Sequence, residues 1–66
     1  MTFGDKIKSL RTEMGLTQKE LADALFLSLS SIAMYETNKT NPSHEVIVTL
    51  AKFFNVSTDY IYGLED

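Results

Sequence analysis

Sixty-six residues, with nine Asp and Glu against six Lys and Arg, make one small domain of net charge −3, near the lower size limit at which a core holds without metal or disulfide. The lack of cysteine excludes disulfides and thiolate metal sites and points to an intracellular, cytoplasmic setting. No apolar run approaches the ~18 residues of a membrane span, no signal segment opens the chain, and 44% hydrophobic residues with three Gly and one Pro read as a compact helical fold, not a disordered tail.

Phe3, Ile7, Leu10 and Met14 step by four, three and four, the stripe of an amphipathic first helix that Gly15 ends. Met14 is expected in the core, and Lys6, Lys8, Arg11 and Glu13 lie off the stripe or on its border. Thr17 and Glu20 form a capping box, so a second helix starts at Gln18. Leu21, Ala22 and Leu25 give it a core stripe, while Lys19 and Asp23 point away. Phe26 and Leu27 interrupt the pattern, and Ser28 caps a third helix opening at Leu29. At about 100° per residue, Ile32 and Tyr35 share one side of that helix, with Ser30, Ala33 and Met34 on or near the other and Leu29 at the flank. Asn38 stands where a left-handed residue ends the helix.

Thr37 to Pro42 is a polar connection, its Asn-Pro pair disfavouring helix at Asn41. Ser43 caps a fourth helix with core residues Val46, Ile47, Leu50, Ala51 and Phe54; Asn55 ends it. Ser57 caps a short fifth with Asp59 in its first turn, and Gly63 stops it after Tyr60, Ile61 and Tyr62. Tyr60, Ile61, Tyr62 and Leu64 present more apolar surface than a short helix hides; packing against the first helix takes part of it, and the remainder is a candidate dimer surface. Leu64 to Asp66 read alternatively as the start of a linker.

In register, TQKELA at 17–22, SLSSIAMYE at 28–36, NKTNPS at 38–43 and Arg11 resemble the Cro/CI-type helix-turn-helix domains of phage repressors and related bacterial regulators. The resemblance covers nearly the whole chain. It implies an all-α, five-helix, lambda-repressor-like domain over residues 1–66, with the helix-turn-helix at about 17–38. It also implies a sequence-specific regulator of double-stranded DNA, a repressor at a palindromic operator acting as a homodimer, with no cofactor, no small-molecule substrate and no catalysis. Thr17, Gln18 and Lys19 would then hold the DNA backbone at the start of the second helix. Ser28, Leu29, Ser30, Ser31 and Met34 would meet the major groove, and Lys39, Thr40 and Asn41 the phosphates, unless that loop is merely solvated. Arg11 would pair with Glu36 and also approach a phosphate.

The sequence departs from the family pattern in two ways. Phe26 stands where Gly is usual, which predicts a remodelled turn. Leu29 and Met34 stand where Arg, Gln or Lys are common; neither can read guanine or adenine bidentately, though each can pack on a thymine methyl. The net charge also opposes DNA, since phosphate neutralisation supplies much of the affinity. Asp59, Glu65 and Asp66 account for it, however, being confined to the last eight residues. One phosphate each for Arg11, Lys19 and Lys39 gives a dimer six contacts and a log K against log salt slope of about −5. The other reading is a protein-interaction module, with the same fold and a groove-facing helix turned apolar by Leu29, Ala33 and Met34.

Chemistry has little foothold. His44 has Glu45 as its one nearby ligand type, short of the three or four a zinc site needs. Ser28, Ser30 and Ser31 lack a neighbouring His or Cys, and no Gly-rich phosphate loop is present.

Overall fold

The computed structural model describes residues 1–64; Glu65 and Asp66, and with them the linker reading of the chain end, lie outside the described residues. These residues form five helices and no strand: α1 (Phe3–Glu13), α2 (Gln18–Leu25), α3 (Leu29–Glu36), α4 (His44–Phe54) and α5 (Thr58–Tyr62).

Each helix begins on a hydroxyl. Thr2, Thr17, Ser28, Ser43 and Ser57 are the N-caps, each side chain accepting from a first-turn amide, which satisfies donors the helix itself leaves orphaned. Asp5 completes a second capping box at Thr2, and the Thr2 amide and hydroxyl hold its carboxylate below the ordinary value. Each helix also ends on a residue at positive φ: Gly15, Phe26, Asn38, Asn55 and Gly63. In every case the following amide bonds back to a carbonyl five residues earlier, as in Leu27 N to Ala22 O at 2.8 Å and Lys39 N to Met34 O at 2.9 Å, the closure of a Schellman motif.

One turn is used three times. Gly15-Leu16-Thr17, Phe26-Leu27-Ser28 and Asn55-Val56-Ser57 each place a left-handed residue, an apolar residue packed on the core, and a hydroxyl that caps the next helix. The expectation of a remodelled turn at Phe26 is therefore corrected: it takes φ 57° and ψ 37°, close to the 57° and 46° of Asn55. Met14 is corrected too. Helix α1 stops at Glu13, and Gly15 swings the chain so that Leu16 returns to the core while Met14 stays exposed.

Ile7, Leu21, Ala22, Leu25, Ile32, Ile47, Leu50, Ala51 and Ile61 make the buried core, with Phe3, Leu10, Tyr35, Val46, Phe53 and Phe54 packed on its margin. Helix α1 lies against both α3 and α5. Its approach to α3 depends on Gly4: a Cβ there would sit 2.5 Å from the Glu36 carbonyl oxygen and 2.6 Å from that of Tyr35. The Asn38 side chain fastens this junction, accepting from Gly4 N and donating to Thr2 Oγ1, both at 3.0 Å. At the other contact Lys6, expected off the stripe, is buried. Its ammonium donates to the Tyr60 carbonyl at 2.8 Å and stands 4.4 Å from the Tyr60 ring centroid, a cation–π contact that lets a charge sit against the core.

Candidate nucleic-acid interface

The helix pair α2 and α3 is held by one carboxylate. Glu36, the last residue of α3 and buried, accepts from Arg11 Nε at 2.6 Å, from Arg11 Nη2 at 3.1 Å and from Gln18 Nε2 at 3.1 Å. Arg11 also donates from Nη1 to the Leu16 carbonyl at 2.7 Å. The bidentate bond to Glu36 raises the Arg11 pKa against the opposing effect of burial, so the guanidinium stays charged. A single side chain on α3 thus ties together α1 and the start of α2. Among the described residues no buried side-chain nitrogen or oxygen lacks a partner.

This geometry sorts the site residues expected from the sequence. Arg11 is buried, with its Nε, Nη1 and Nη2 all committed within the molecule. Gln18 is half-buried, its amide nitrogen facing Glu36. Thr17 is exposed, and its hydroxyl and amide are both taken by the Glu20 box. Lys19 is exposed and pairs with Asp23 one turn on, at 3.0 Å, an arrangement worth about 0.3–0.5 kcal/mol that a stronger anion displaces. Lys39, Thr40 and Asn41 are exposed beyond α3.

Helix α3 presents the open face. At about 100° per residue, Leu29, Ala33, Ser30 and Met34 fall in that angular order within an arc of roughly 140°, and Ser31, Tyr35, Ile32 and Glu36 fill the opposite arc. On the opposite arc Ile32 and Glu36 are buried and Ser31 and Tyr35 half-buried; on the open arc Leu29 is 49% and Met34 37% exposed, Ser30 is exposed and Ala33 half-buried. Ser28 and Ser31 are joined, the Ser28 hydroxyl donating to Ser31 Oγ at 2.9 Å and accepting from Ser31 N at 3.1 Å. Ser30 is exposed and makes no side-chain hydrogen bond among the described residues. The open arc therefore carries three apolar side chains, one uncommitted hydroxyl and no charge. Phe26 stands at the turn before it, 96% exposed.

Sequence reasoning missed Gly4, Lys6 and the Asn38 side chain, the residues that set how α1 docks. Gly4 did leave a signal, because glycine inside an amphipathic helix costs about 1 kcal/mol relative to alanine and calls for a packing reason. At the C-terminal end, the part of the apolar surface that packs as core is Ile61, buried, with Tyr60 half-buried beneath Lys6; Tyr62 and Leu64 remain exposed. The Tyr62 hydroxyl lies 2.9 Å from His44 Nδ1, the two rings stacked at 6.3 Å. Among the described residues no group of three or more His, Cys, Asp or Glu is placed to hold a metal ion, and no helix is long and apolar enough to cross a membrane.

Residues 7–61 match the helix-turn-helix family. The chain is 33% identical over its full length to the HTH-type transcriptional regulator ImmR of Bacillus subtilis, covering 52% of that protein. It is 37% identical over 98% of its length to the immunity repressor protein of Bacillus phage phi105, covering 45% of it. It spans about half the length of these relatives. An uncharacterised HTH-type transcriptional regulator of Methanocaldococcus jannaschii is closer in size, with 37% identity over 94% of each chain. With α2, the three-residue turn and α3 all inside the matched segment, the chain belongs to the helix-turn-helix family, in the Cro/CI-type branch that its sequence resembles.

Proposed function

We propose that the chain is a sequence-specific double-stranded-DNA-binding transcriptional regulator, a repressor that occupies a partly palindromic operator as a dimer and acts by binding, without catalysis. The observation that carries this reading is the open arc of α3, with Leu29, Ser30 and Met34 exposed on a helix fixed at its other end by the Glu36 network. A rigid helix with its N-terminal residues free is what entry into a major groove requires. The names of the relatives, transcriptional regulator and immunity repressor, support the same reading.

Charge on the helix pair is less adverse than the total suggests. Glu36 is buried against Arg11, and Asp23 is paired with Lys19. Lys19 and Lys39 are the phosphate contacts of this proposal, and Arg11 serves as a positioning residue. For the dimer, the exposed Tyr62 and Leu64 provide the surface.

The test is selection of bound duplexes from a randomised pool at low salt. A two-fold motif with half-sites about 10 base pairs apart is the expected result; folded protein that enriches no sequence sinks the proposal. The exposure of Phe26, Leu29 and Met34 together favours a second reading, in which this face docks a partner protein. Leu29→Arg separates the two, since a cation there spares or improves DNA affinity and abolishes apolar docking.

A further inference from the structure

The chemistry of the open arc on α3 narrows what it can recognise. Major-groove edges are distinguished by donors, acceptors and one apolar mark, the C5-methyl group of thymine. The arc offers no guanidinium, no ammonium and no carboxamide. The helix's one carboxylate, Glu36, lies on the opposite arc, buried and bonded to Arg11 and Gln18. The lone uncommitted hydroxyl, on Ser30, accepts or donates and so suits several bases. Leu29 and Met34 offer aliphatic surface. Pressing such surface on an amino or carbonyl edge strips that group of water without replacing its hydrogen bond, which is unfavourable. A methyl group carries no such penalty and gains from burial.

We infer, on the DNA-binding reading above, that Leu29 and Met34 are specificity-determining residues that read thymine methyl groups. The preferred half-site carries a T·A pair under each of them, with Ser30 bonding a base edge or phosphate between. Five residues at 1.5 Å rise separate the two side chains by about 7.5 Å along α3, about two base-pair steps.

Uracil tests this directly, because it pairs as thymine does and lacks only the methyl group. A duplex recovered by selection is resynthesised with uracil in place of thymine at one position at a time, and its affinity for the 66-residue protein is measured. We expect a loss of about fourfold at each of two positions per half-site, the value of one buried methyl group. Leu29→Ala removes the uracil penalty at one position and Met34→Ala at the other. Both side chains are exposed, so the variants keep the fold, which circular dichroism verifies. Equal affinity for thymine and uracil at every position overturns methyl readout while leaving the DNA-binding reading standing. So does a penalty that persists unchanged in both variants, since DNA shape then carries it. Failure of the folded protein to select any duplex overturns both.

Discussion

Phe26 is held in a left-handed backbone at φ 57° with its ring 96% exposed, so the conformation is unfavourable and the side chain gains almost nothing from packing. Gly15 and Asn55 fill the same place in the sister turns, residue types that tolerate it. The left-handed penalty of about 1–2 kcal/mol exceeds the entropy cost of glycine, about 0.5–1 kcal/mol. Phe26→Gly is therefore expected to raise stability by roughly 0.5–1 kcal/mol and Tm by about 4 °C; a lower Tm in a thermal melt would mean the ring contributes contacts after all. Asp5 makes a pH-dependent contribution. Its folded pKa lies below the ordinary value through the Thr2 amide and hydroxyl, so its stabilisation is present above the unfolded value of about 4 and disappears as pH falls through the folded one. Asp5→Asn should flatten the dependence of stability on pH in that acid range without changing its form near neutrality, as denaturant titrations at stepped pH will reveal.

The junction of α1 with α3 depends on the missing side chain of Gly4. Alanine is the better helix former by about 1 kcal/mol, yet its Cβ would meet the Glu36 and Tyr35 carbonyl oxygens at 2.5 and 2.6 Å. Backbone cannot yield as a flexible side chain does, so Gly4→Ala is expected to destabilise by about 1–3 kcal/mol; a neutral result in urea denaturation would show that α1 slides freely. This contact also marks the limit of what was legible beforehand. Caps and apolar stripes act within one helix, so Thr17, Ser28 and the Leu21–Leu25 face could be read from spacing. Gly4 against Glu36 and Lys6 against Tyr60 join residues 32 and 54 positions apart, and no local pattern announces them. Met14 was misplaced because the four-three-four spacing continued past the residue at which the helix stops. The open face of α3 was legible because Ile32 and Tyr35 fall on one side by period alone, whereas the withdrawal of Arg11 and Gln18 into the Glu36 network required the fold.

For the whole molecule, committing Arg11 to the interior alters the expected electrostatics of binding. On the proposed reading, Lys19 and Lys39 would give a dimer four phosphate contacts and a log K against log salt slope of about −4; a slope near −5 or steeper would restore Arg11 as a contact, and one near −2 would indicate a monomer. Leu64→Glu, a change at an exposed side chain, should shift sedimentation toward the monomer and weaken two-half-site operators while leaving helicity unchanged. Dimer and operator affinity that survive this substitution place the interface elsewhere. The three-way junction at Glu36 has a consequence for genetics as well. On the proposed repressor reading, a screen for lost repression would return changes at residue 36 beside those at Ser30 and Met34, although the Glu36 carboxylate is buried against Arg11 and Gln18. Heat should separate them: alleles at position 36 fail first as temperature rises and recover on cooling, whereas alleles on the open face fail equally at every temperature.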